Sequence, residues 1–168
     1  YSQVTHYWIP GLAQYAYANV AAGVLLDRKP ETLLLGATPN GRDLAGRLAV
    51  RLRTGLTADC TELAWEEGTG LLLGEVSGFG GGVMASIKCA HHRPQMATVR
   101  PGIFPPPSSD PDRAGRMEFV PVSLDAGQIR TQIVERVRHE GVDITRAKVL
   151  VAGGRGLKGD FAPLAELA

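Results

Sequence analysis

The sequence predicts an α/β fold, with a parallel sheet layered by helices and supplemented by antiparallel strands. A helix-period stretch, a continuous apolar run and a second helix-period stretch follow one another within residues 10–55, the alternation expected of layered α/β units. The middle third holds short runs rich in Val, Ile and Thr, parted by glycine turns, which read as antiparallel strands. Near residue 147 an apolar run passes through glycines into another helical pattern, predicting the start of a second α/β unit.

Pro10 and Gly11 open the first helix, in which Leu12, Tyr15, Ala16, Val20, Val24 and Leu25 recur near helical period until Pro30. Residues 32–38 (TLLLGAT) form an apolar run suited to a strand covered on both faces. Asn40 reads as the N-cap of the next helix, with Asp43 in its first turn and Gly55 ending it. Leu44, Ala45, Leu48, Ala49 and Leu52 make its buried stripe, and Arg47, Arg51 and Arg53 lie outside it. Strands are expected at residues 57–65, 71–76, 83–89 and 96–100, all in the antiparallel region, with turns at 67–70 and 78–82. Residues 101–111 (PGIFPPPSSDP) are a loop by composition, and 117–124 resume as strand. Ile129, Ile133 and Val137 fit a strand period and a helical spacing alike. Residues 147–152 (AKVLVA) read as a compact strand, followed by Phe161, Leu164, Ala165 and Leu167 at helical spacing. A domain boundary is expected near residue 145, giving domains 1–145 and 146–168.

Composition narrows the function classes. The 168 residues carry 18 Lys and Arg against 17 Asp and Glu, a formal net charge of +1, and no dense basic stripe; the balance gives no electrostatic reason to bind nucleic acid. No apolar run approaches the roughly 20 residues of a membrane span, so direct membrane insertion is not expected. Two cysteines, Cys60 and Cys89, cannot make a disulfide framework, and a reduced, cytoplasmic compartment is the expectation. The chain does not start with Met, carries no signal-peptide pattern and ends in helix-like LAELA, which predicts a segment of something longer at both ends.

Among motifs, Gly154, Gly156 and Gly159 satisfy G-x-G-x-x-G around Arg155. Glycines let the backbone approach a pyrophosphate, and the free N–H groups of a helix start favour anions. The same pattern fits a glycine-rich turn with no ligand; Arg155 favours the ligand, since a guanidinium there would pair with phosphate or polarise a flavin ring. Cys89, His91 and His92 lack a second Cys/His cluster to complete a tetrahedral site, so no metal is expected. Asp110 and Asp112 read as turn formers. Arg100, before a Pro-Gly turn, is either a solvated strand end or a contact to an electron-rich ligand at a subunit seam. No nucleophile elbow, phosphate-binding lysine loop or zinc-protease motif is present, so catalytic side chains are not expected.

Three blocks together, LLLGATPNGRDLAGRLAVRLRTGLTADCTEL, RPQMATVRPGIF and AKVLVAGGRGLKGDFAPLAELA, resemble the α subunit of an electron transfer flavoprotein in order and spacing. The resemblance implies an adenine-nucleotide-hydrolase-like layered domain whose first strands lie outside the segment, then the start of an FAD-binding domain. Residues 129–138 are a strand in that scheme. It further implies a heterodimer with a β subunit that carries electrons via FAD between flavin dehydrogenases and a quinone oxidoreductase, or to ferredoxin. The family's Gly-Gly-Arg-Gly loop matches Gly153, Gly154, Arg155 and Gly156, with Arg155 at the position of the FAD-contacting arginine. Gly159 is not a fixed part of that loop, and the other FAD-binding runs of the family would lie beyond Ala168. The RPQMATVRPG block is nearer to the electron-bifurcating branch, where a second flavin in the β subunit faces this domain, making Arg100 the candidate contact. Two competing expectations are a non-redox adenine-nucleotide-binding module and a fragment of an NAD-dependent dehydrogenase built on the terminal glycines.

Overall fold

Small side chains let the first helix lie close to its neighbour. The computed structural model describes residues 14–78, 81–112, 114–122, 144 and 147–167. In it α1 spans Gln14–Arg28 and buries Ala16, Ala18 and Ala22. Helix α1 packs on α2, Pro39–Leu52, and the Arg51 Nε donates to Asn19 Oδ1 across the pair at 3.3 Å. The predicted opening at Pro10 and Gly11 lies outside the described residues. Lys29, with φ 46°, turns the chain out of the helix ahead of Pro30.

Strand β1 (Thr32–Gly36) turns Leu33 and Leu35 toward the helices. Helix α2 then begins two residues earlier than its sequence suggests. Thr38, not Asn40, is the N-cap: its Oγ1 accepts from Gly41 N at 3.1 Å, while Pro39, with no N–H to satisfy, fills the first turn. Asn40 is thus already helical. Asp43 falls beyond the first turn and instead accepts from Arg47 Nε at 2.9 Å. The helix closes on Arg53, whose left-handed φ of 53° lets Thr54 N reach Ala49 O at 3.0 Å, so Gly55 is not the stop. Gly41 has a tighter duty: a Cβ there would lie 1.9 Å from the Gly36 carbonyl oxygen, so only glycine seats the helix start on the end of β1.

Two sheets follow. The parallel sheet has the order β1-β6-β2, with β2 at Leu56–Cys60 and β6 at Gln95–Val99. The antiparallel sheet has the order β3-β4-β5, made of Glu62–Glu66, Leu71–Gly78 and Val83–Lys88. Two expectations are corrected. Residues 57–65 are not one strand: the chain breaks at Thr61 and enters the second sheet, Thr61 N bonding Glu75 O at 2.8 Å. The run 96–100 is not antiparallel; its residues 96–99 lie at the centre of the parallel sheet, between β1 and β2.

The helices cover one face of the parallel sheet through Ala22, Leu48, Ala49 and Met96, and Leu48 is 1% exposed. Sealing one such leucine is worth roughly 1.5–3 kcal/mol. The antiparallel sheet covers the other face through Cys60, Leu72 and Ala97. Gln95 ties the two sheets: its Oε1 accepts from Leu72 N at 2.7 Å and its Nε2 donates to Gly70 O at 3.2 Å. Gly74 permits the contact, since a Cβ there would meet Cys60 Sγ and Thr57 Cγ2 at 2.9 Å each.

The chain divides into two units, Tyr1–Gln132 and Ile133–Ala168. In the first unit, residues 117–122, expected as strand, join no ladder, and Phe119 is 91% exposed. Residues 123–124, the ambiguous run 129–138 and the boundary expected at 145 and 146 lie outside the described residues. In the second unit the run 147–152 is not a strand: Val149 and Leu150 are exposed, and no ladder among the described residues takes up its backbone. Apolar composition marks a segment able to enter a sheet, but only a neighbouring strand makes it one. A turn of 3-10 helix at Arg155–Leu157 and the short helix α3, Ala162–Leu167, complete this unit.

Candidate functional site

In parallel α/β sheets, ligands bind at the carboxyl ends of the strands, and there the first unit brings Asp59, Arg42 and Arg100 together. The geometry starts from an irregularity in β2. Thr57 pairs with Ala97 and Cys60 with Val99, so β2 advances three residues while β6 advances two. This bulge turns both Thr57 and Cys60 toward Gly74 of β4 and leaves Asp59 in the left-handed region, φ 61°. The Asp59 N–H donates to the Thr98 hydroxyl oxygen at 2.8 Å in place of a ladder partner, and Thr98 is wholly buried.

The Asp59 carboxylate then meets two guanidinium groups. Arg100 Nη2 donates to Oδ2 at 2.8 Å and its Nε reaches Oδ1 at 3.4 Å. Arg42, one turn into α2, donates to Oδ1 at 3.0 Å and through Nε to Ala37 O at 2.9 Å. The main chain closes the same edge, with Arg100 N bonded to Cys60 O at 3.0 Å and Ala37 N to Val99 O at 2.7 Å. The hydrogen bond from Arg100 holds the Asp59 carboxyl below the usual carboxylate range; partial burial opposes it, and the charges of Arg100 and Arg42 add to it. The same bond raises Arg100 above its ordinary value. One carboxylate against two guanidiniums leaves the edge positive.

The second unit carries the other predicted residues in a single turn. Gly154 caps the turn, Arg155 begins it and Lys158, φ 49°, ends it with its N–H on Arg155 O at 3.1 Å. The three glycines differ in duty. A Cβ at Gly153 would meet Leu157 Cδ1 at 2.2 Å and Leu164 Cδ1 at 2.9 Å, so Gly153 is a packing glycine; Gly154 and Gly156 face open space. Arg155 is exposed and has no side-chain partner among the described residues. A guanidinium beside two bare glycine backbones fits an anionic or electron-rich group of a cofactor such as FAD. The dinucleotide fingerprint fares worse. It requires a strand before the glycines and a helix opening on them, whereas the run before is irregular and α3 starts only at Ala162, whose N–H donates to Asp160 Oδ1.

The structure brings Gly153, Gly154, Arg155 and Gly156 together and places Arg100 in the other unit, beside Asp59, Arg42 and Thr98. Asp59 and Arg42 escape a reading from sequence, because 57–65 looks like one regular strand in which Asp59 would be a mid-strand residue. Cys89 faces Thr54 Oγ1 at 3.7 Å and the His92 carbonyl at 3.6 Å. Burial pushes its thiol up, but hydrogen bonds from Gly55 N–H and Thr54 and the charge of Arg93 outweigh that and hold it below the ordinary value. Among the described residues no group of three or more His, Cys, Asp or Glu converges to hold a metal ion, and no helix is long and apolar enough to cross a membrane.

The model of the electron transfer flavoprotein domain matches residues 2–125. Protein FixB of Clostridium saccharobutylicum is 47% identical over 157 residues, covering 91% of this chain and 47% of that protein. An electron transfer flavoprotein subunit alpha of Clostridium acetobutylicum is 48% identical over 158 residues, covering 90% and 47% respectively. Subunit LctC of the lactate dehydrogenase (NAD(+),ferredoxin) of Acetobacterium woodii is 40% identical over 143 residues, covering 84% of this chain and 34% of that protein. The chain thus spans about half the length, or less, of these curated relatives. With three quarters of its residues matched by the domain and α subunits among its relatives, the chain belongs to the electron transfer flavoprotein family.

Proposed function

We propose that this chain is part of the α subunit of a heterodimeric electron transfer flavoprotein, which carries electrons through FAD between flavin dehydrogenases and a quinone oxidoreductase or ferredoxin. The match to the electron transfer flavoprotein domain over residues 2–125 carries the reading. Residues 1–145 would be the N-terminal domain that docks the β subunit, and 146–168 the start of the FAD domain. FAD, when bound, supplies the redox chemistry; side chains of this chain supply position and charge. Arg155 presents a cation with no competing carboxylate among the described residues, and Gly154 and Gly156 leave the backbone open to close approach. A positive charge in a partly dry site stabilises negative charge placed beside it, which would raise the potential of a flavin. Arg100, at the positive carboxyl edge of the parallel sheet, is the contact to a second flavin held by the β subunit. The relative named as a subunit of a lactate dehydrogenase using NAD(+) and ferredoxin supports electron bifurcation for this protein as well.

The test uses the complete subunit co-expressed with its β partner. Arg155→Ala should retain FAD and lower its potential. Normal FAD content with an unchanged potential overturns the role given to Arg155.

A further inference from the structure

We propose that Asp59 is a positioning residue, set by the bulge of β2 to hold the Arg100 guanidinium at the carboxyl edge of the parallel sheet in the orientation from which it meets a flavin. The inference rests on the reading of Arg100 as a flavin contact and adds the device that aims it. Arginine on a strand end ordinarily samples many rotamers, and an electrostatic contact is effective only when the charge is fixed before the ligand arrives. Arg100 is fixed at both ends. Its N–H is bonded to Cys60 O at 3.0 Å, and its guanidinium is bonded through Nη2 and Nε to Asp59 at 2.8 and 3.4 Å.

Asp59 is itself held more firmly than a surface aspartate. Its backbone is left-handed, its N–H is received by the fully buried Thr98 hydroxyl, and its second carboxylate oxygen is occupied by Arg42. Thr98 lies in β6 and Arg100 directly follows that strand, so the segment that leads to the arginine also anchors the residue that aims it. The bulge has a packing use, since it lets Thr57 and Cys60 both face Gly74. Packing, however, needs only a residue that tolerates the left-handed backbone, which Asn and Gly do as readily. The carboxylate is the part that packing does not require.

Aiming and through-space charge predict opposite signs. If Asp59 merely cancelled nearby positive charge, neutralising it would raise the flavin potential. If it aims Arg100, neutralising it releases the guanidinium and the potential falls. The experiment measures the potentials of both flavins by spectroelectrochemistry in the complete heterodimer, with Asp59→Asn, Arg100→Gln and the double variant, and far-UV circular dichroism to follow the fold. Arg100→Gln should lower one potential; Asp59→Asn should lower the same one by more than half as much and cause no further fall in the Arg100→Gln background. A rise or no change with Asp59→Asn, or an additive effect in the double variant, overturns the inference while leaving the Arg100 contact standing. No change with Arg100→Gln overturns that contact and the inference with it. Asp59→Gly, which keeps the backbone conformation, replaces Asp59→Asn if the latter does not fold.

Discussion

At the scale of single residues, Asp59 makes the stability of the first unit depend on pH. Its carboxyl lies below the ordinary aspartate value of 3.8, because Arg100 donates to its ionised form with the charges of Arg100 and Arg42 beside it. A group whose folded value is depressed contributes stability that is fully present above its unfolded value and is lost as the pH falls toward the folded one. Asp59→Asn should therefore lower stability at neutral pH, and the gap from the parent should narrow as the pH falls through the ordinary aspartate value of 3.8 and below it. Urea titrations across that range read the gap; one that stays constant would show that the cluster adds no ionic stabilisation. Residues at this scale are unevenly legible. Arg100 and Arg155 stand beside Pro-Gly and Gly-Gly signals that single them out in the sequence. Asp59 has no such flag, because a bulge is a relation between two strands, and β6 lies more than thirty residues further along the chain.

At the scale of elements, helices are easier to foresee than strand partners, since helix bonds are local and strand bonds are not. The stripe of Leu44, Leu48 and Leu52 shows the extent of α2 and its buried face, while its ends differ from expectation because its caps, Thr38 and Arg53, each stand two residues before the expected ones. The strands of the middle third are recognisable as strands, but the sheet each one joins is not. One glutamine decides much of that assignment. Gln95, 2% exposed, accepts from the Leu72 N–H and donates to Gly70 O of the antiparallel sheet, so its replacement leaves the buried Leu72 N–H without its partner. Gln95→Met, close in volume, should destabilise the first unit by about 2 kcal/mol in equilibrium urea unfolding. A loss below about 0.5 kcal/mol would mean that the sheets are held by apolar packing alone.

At the scale of the whole chain, Tyr1–Gln132 and Ile133–Ala168 are separate units, and the first contains both apolar clusters. A unit with its own core unfolds on its own account. Removing residues 133–168 should leave the thermal transition of the remainder within a few degrees of the parent's, measured by circular dichroism; a large fall would show that the second unit contributes to that core. The three sequence blocks point to the family because each joins a glycine or proline constraint to an apolar run, and both are local properties. The parallel sheet has one consequence for how the molecule comes into being. Its middle strand, β6, is the last of the three to be synthesised, and β1 and β2 touch it rather than each other. On the ribosome, β3, β4 and β5 can assemble from neighbouring sequence, whereas the ladders described for β1 and β2 close only after Val99 has emerged. Residues 95–99 are thus the keystone of biogenesis, and a nascent chain stalled short of them would hold β1 and β2 without the strand that joins them.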